Sequence, residues 1–117
     1  MARLLAVGHV GLTVRDLARA ERFYRETIGF RPVAYHEGVI AIFAVGDTQT
    51  DLFLMPGEPH EAEIDLISDD VDAMHTELVA RGVECDAPRD EKRSGHRSFT
   101  FVDSEGNRVA VTSGHPR

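Results

Sequence analysis

A single cysteine, Cys85, stands in a chain of 117 residues. It excludes an intrachain disulfide and a thiolate metal cluster, and its expected place is strand packing, not nucleophilic catalysis. No apolar run approaches the roughly 18–20 residues of a membrane-spanning helix. The N-terminal MARLLAVGHVGL has one arginine and a short apolar run that passes straight into strand-like alternation. A signal peptide carries a longer apolar block and a cleavage site. The expectation is a soluble, cytoplasmic protein with no membrane partner. Basic excess is lacking too: the formal charge is −7, and the only basic cluster, residues 89–97, is broken by Asp90 and Glu91. Nucleic acid is therefore not an expected partner, because phosphate binding wants a basic patch. There is no phosphate-cradling glycine loop and no dinucleotide fingerprint. The GHVG at 8–11 lies inside a strand pattern, and no serine occupies a nucleophile elbow.

What is present has the balance of a globular chain. The composition is 42% hydrophobic and 28% charged, unlike a disordered segment, and the length suits one domain with a modest core. Residues 7–14 alternate, with Val10, Leu12 and Val14 on one face and His9, Gly11 and Thr13 on the other. Asp16 is a helix N-cap. Leu17, Ala20, Tyr24 and Ile28 follow at helical spacing, and Gly29 supplies the stop. Phe23 and Tyr24 are expected in the core. Strands are predicted over 30–36, 39–45 and 51–55, and a Pro/Gly-rich linker follows at 56–62.

The plan then repeats. Residues 63–68 alternate, with Ile64 and Leu66 opposite Glu63, Asp65 and Ile67. Asp69 or Asp70 caps a helix that carries Val71, Met74 and Leu78 and stops at Gly82. Strands are predicted over 83–87, 97–102 and 108–112, with a charged loop at 88–95 and a turn at 103–106. Glu63 stands as far beyond His9 as Asp70 beyond Asp16, and Gly82 falls one residue short of that offset from Gly29. Two tandem βαβββ modules, about 6–55 and 63–112, make one domain of α+β class.

Four stretches carry a resemblance: HVGLTVRDLARAERFYRETIGF at 9–30, DLF at 51–53, DDVDAMHTELVARGV at 69–83 and FVDSEGNRVAV at 101–111. Together they resemble the vicinal oxygen chelate superfamily of glyoxalase I, bleomycin-resistance proteins and extradiol dioxygenases. The last matches that group's strand–DPxG–strand signature, with Ser104 in place of proline. The resemblance implies a curved mixed sheet around a cavity, and a homodimer. It also implies four ligand positions in metal-using members, which fall here on His9, Asp51, Glu63 and Ala110. Alanine has no ligand atom where those members usually carry glutamate.

Two readings follow. In the first, the protein binds a cationic or aromatic small molecule such as an antibiotic, without a metal cofactor. The cavity lining is then expected from His9, Gly11, Thr13, Asp51, Phe53, Met55, Glu63, Asp65, Ile67 and Ala110, and is acidic. In the second, His9, Asp51 and Glu63 hold a divalent metal (Zn, Mn, Ni or Fe) for glyoxalase-like lyase, isomerase or dioxygenase chemistry. The remaining histidines, His36, His60, His75, His96 and His115, are expected at the surface.

Overall fold

The structure is a computed structural model that describes residues 2–59, 64–93 and 95–114. Its contacts divide the chain into two units, residues 1–60 and 61–117. Both are built on one plan.

In the first unit, β1 (His9–Val14), β2 (Arg31–His36), β3 (Ile40–Ala44) and β4 (Asp51–Pro56) form a sheet of order β1-β4-β3-β2. β1 runs parallel to β4, and the other neighbours are antiparallel. The period-2 pattern of the sequence decides which face is covered. Leu12, Val14, Ala41, Phe43, Leu52 and Leu54 are buried, and helix α1 (Leu17–Arg22) packs against β3 and β4. Asp16 caps α1 by accepting from the Arg19 N–H at 3.0 Å. The single helix expected over 17–28 changes its winding at Phe23. Phe23–Ile28 is a π-helical turn, closed by the N–H groups of Gly29 and Phe30 donating to the Tyr24 carbonyl. Gly29 ends it in the left-handed region, at φ 88°.

In the second unit, β5 (Asp65–Ile67), β6 (Glu84–Cys85), β8 (Arg97–Val102) and β9 (Arg108–Thr112) repeat that topology as β5-β9-β8-β6. β5 is parallel to β9. Helix α2 (Val71–Ala80) is capped by Asp70, which accepts from the Ala73 N–H at 3.0 Å, and packs on β6 and β8. Val71, Leu78, Phe99, Phe101, Val109 and Val111 are buried.

Four expectations need correction here. The strand predicted over 83–87 shrinks to Glu84–Cys85. The charged stretch at 88–95 is not all loop, because β7 (Arg89–Asp90) pairs with β8. His75 is not a surface residue. It is half-buried, with its ring edge-on to Phe99 at 5.1 Å. The reason is helical geometry: Val71, His75 and Leu78 stand at i, i+4 and i+7, on one stripe. His96 is also half-buried, while His36 is exposed as expected. His60 and His115 lie outside the described residues.

Arg97 ties this unit together. Its guanidinium donates two bonds to Asp72 on α2, both at 2.9 Å, and one to Asp90 on β7 at 3.0 Å. The Arg97 bonds hold the Asp72 carboxyl below its ordinary range. At Asp86, burial works the other way, yet the Thr100 N–H and Arg89 outweigh it and the carboxyl is again lowered. A carboxylate lowered by folding stabilises the fold above its unfolded value of about 3.9, and that contribution fades as pH falls through the folded value. We expect the urea midpoint to drop as pH falls below about 4, and Arg97→Met to make that drop shallower. Equal pH profiles for the two proteins would refute the link.

Candidate functional site

The face of the first sheet away from α1 carries the side chains that the sequence singles out. Register sets them in rows across the strands. His9 pairs with Asp51, Asp51 with Ala44 and Ala44 with Arg31. Gly11 pairs with Phe53, Phe53 with Ile42 and Ile42 with Ala34. Thr13 pairs with Met55 in the next row, where Ile40 and His36 face each other. One end of the face is thus polar and its middle apolar.

The most ordered feature is a ring stack. The His9 imidazole lies on the Phe53 phenyl with centroids 4.0 Å apart and planes only 8° from parallel. His9 and Phe53 come from neighbouring strands, one diagonal step apart, which is the distance at which aromatic side chains on a sheet meet. Beside them, Gly11 has no side chain, and the Met55 methyl occupies the space: a Cβ built on Gly11 would lie 3.1 Å from Met55 Cε. Glycine here admits a thioether to the centre of the face. Asp51 is half-buried at the head of β4, and its N–H donates to the Gly8 carbonyl at 2.9 Å.

Thr13 does something other than line this face. Its hydroxyl donates to the Glu58 carbonyl at 2.9 Å, and the Gly57 N–H donates to the Val14 carbonyl at 2.9 Å. These bonds fasten the chain after β4 to the end of β1. Arg15 reinforces them with two bonds to the Glu58 carboxylate, at 3.1 and 3.0 Å.

The second unit holds Asp65, Ile67 and Ala110. Asp65 pairs with Ala110, and Ala110 with Thr100; Ile67 pairs with Thr112. Asp65 and Ile67 are exposed, and Ala110 is half-buried. Glu63 lies outside the described residues. The described carboxylates expected to line the cavity are divided between the two sheets. The first contributes the Asp51 carboxylate and the second Asp65, and the Arg31 guanidinium shares the row of Asp51.

Of the three candidate metal ligands, His9 and Asp51 are described and Glu63 is not. No group of three or more His, Cys, Asp or Glu side chains among the described residues converges on a point. His9 and Asp51 make two donors, and protein metal centres of this type use at least three. Ala110 adds none. Sequence reading also missed part of this face. Ile40, Ile42 and Ala34 join Phe53 and Met55, and the signal was the alternation of Ile40, Ile42 and Ala44 against the buried Ala41 and Phe43.

Comparison with known proteins resolves the family. The model of the glyoxalase/bleomycin resistance protein/dioxygenase superfamily matches residues 6–111. The chain belongs to this superfamily. No curated protein matches it. Among solved structures, it is similar to TnmS3, an antibiotic binding protein from Streptomyces sp. CB03234, at 29% identity and TM-score 0.79 over 95% of this chain and 97% of that one. A glyoxalase/bleomycin resistance protein from the same organism is 30% identical, with TM-score 0.75 over 91% of this chain and 98% of that one. A lactoylglutathione lyase from Agrobacterium tumefaciens shares the fold at 24% identity, with TM-score 0.80 over 92% of each chain.

Proposed function

We propose that this superfamily member binds an aromatic small molecule, such as an antibiotic, and holds it without chemical change and without a metal cofactor. The observation that carries the reading is the His9–Phe53 stack, set beside Met55, Ile42 and Ile40 on one half-buried sheet face. Small-molecule sites are mostly apolar, with a few placed polar groups that fix orientation. Here Asp51 is such a group. The similarity to an antibiotic binding protein supports the same reading. The working assembly is a homodimer in the cytoplasm.

Elemental analysis of the purified protein, alongside its solution mass, tests this. The expected result is no stoichiometric metal and a mass about twice 12.9 kDa. Installing a carboxylate through Ala110→Glu is expected to create divalent-metal affinity that the parent lacks. Tight metal in the parent, lost in His9→Ala, would instead establish the metal-dependent lyase or dioxygenase reading through His9, Asp51 and Glu63.

A further inference from the structure

We infer that His9 serves as an aromatic ring, not as a ligand atom or proton carrier, and that its stack with Phe53 forms the floor on which a planar aromatic cation lies. This rests on the binding reading above and specifies the ligand class for it.

A histidine that ligates metal almost always has its second ring nitrogen held by a carboxylate, a carbonyl or water, which fixes tautomer and orientation. Among the described residues, the contact made by the His9 side chain is through its ring face, against Phe53. What orients the imidazole is Phe53. The 4.0 Å separation and 8° tilt are those of two rings in face contact, closer than the usual range of aromatic pairs. His9 remains exposed and Phe53 half-buried, so the pair is accessible. A third ring added to such a pair gains stacking area on a surface that is already ordered, which spares the ligand part of the entropy cost of binding.

The neighbours set the rest of the class. Phe53, Ile42 and Met55 supply a flat apolar strip, and Met55 adapts to the thickness of what covers it. Asp51, the Cα partner of His9, puts a carboxylate at the edge of the stack. A delocalised positive charge on a flat ring system satisfies both features at once, whereas a cation without a ring offers charge to the carboxylate but no flat face to the stack.

Two probes separate these demands: proflavine, a planar aromatic cation, and tetrapropylammonium, a cation without a ring. Equilibrium dialysis of the full chain should show saturable binding of proflavine and none of tetrapropylammonium. His9→Ala should weaken proflavine about tenfold, the effect of one lost stacking contact. His9→Phe should stay within about twofold of the parent, since it keeps a ring and removes both nitrogens. If His9→Phe is as weak as His9→Ala while the parent binds, the nitrogens matter and the ring role is wrong, though the binding reading survives. Parent binding of tetrapropylammonium as tight as proflavine overturns the planar class alone. Saturable binding of neither probe overturns the inference together with the reading beneath it. Independently of any ligand, the His9 ring-proton resonances should move downfield in Phe53→Leu as the phenyl ring current is removed. Unmoved resonances would show that the stack is not formed in solution.

Discussion

Replacing Tyr24 by alanine is expected to lower the unfolding free energy by about 3–5 kcal/mol, the range for removing a large buried aromatic. Tyr24 is 1% exposed and sits at the centre of the first unit's core. Its ring meets Phe23 edge-on at 5.2 Å, lies parallel to Phe30 at 6.0 Å and is tilted against Phe43 at 6.3 Å. Alanine forfeits the transfer energy of the ring and leaves a cavity that three aromatic neighbours cannot all fill. A domain of this size has about 5–15 kcal/mol in total, so one such loss removes a large share. Urea unfolding of the parent, Tyr24→Ala and Tyr24→Phe gives the measure, with Tyr24→Phe keeping most of the stability because the ring stays. A cost below about 1 kcal/mol for Tyr24→Ala would mean that the core relaxes far more than close packing permits. The substitution also reaches the candidate site. Phe43 packs inward from β3, and Ile42 beside it points to the open face. A loosened core would let that strand shift and would disturb the floor around Phe53.

The fold was legible because local signals agreed with one another. Asp16 and Asp70 announced helix starts, Gly29 and Gly82 announced stops, and alternation on either side assigned strand faces. β8 and β9 emerge with the predicted bounds, Arg97–Val102 and Arg108–Thr112. The strand missed in the second unit depends on a partner distant in sequence. β7 is two residues long and exists because β8 lies alongside it, so the stretch containing Arg89 and Asp90 has no strand signature of its own. The π-helical turn keeps the side-chain types of an ordinary helix and differs only in which carbonyl the last N–H groups reach.

Site residues were harder to read for the same reason. Alternation put His9, Gly11 and Thr13 on one face, and the structure keeps them there. It could not show that the Thr13 hydroxyl is spent on the Glu58 carbonyl, 45 positions away, or that His9 and Phe53 stack. A side chain's face is fixed by a period of two, whereas its contact is fixed by register with another strand. That distinction bears on the metal question. The superfamily pattern assigns His9, Asp51, Glu63 and Ala110 to four equivalent positions, but position alone does not make a ligand. At His9, what alternation could not show is that the ring lies against a phenyl.

A second substitution should strike the turn between β8 and β9. Asp103→Ala is expected to cost about 3 kcal/mol, because it strands several buried donors at once. Asp103 is 6% exposed, and one carboxylate oxygen accepts from the N–H groups of Glu105 and Asn107, at 2.9 and 2.8 Å. The other accepts from the Asn107 side-chain amide at 3.1 Å. Asp103→Asn should fall between parent and Ala: its oxygen can keep the two backbone bonds, but its amide then faces the Asn107 amide, donor against donor. Ser104, where the superfamily commonly has proline, gives no compensation, since its buried hydroxyl has no partner among the described residues. The turn joins β8 to β9 and sets Thr100 opposite Ala110. A slip of one residue would turn Ala110 toward α2 and bring Val109 and Val111 to the open face, so the buried valines oppose any slip while the turn alone selects the loop length. Urea midpoints rank the three proteins, and an Asp103→Asn variant as stable as the parent would show that shape, not charge, holds the turn.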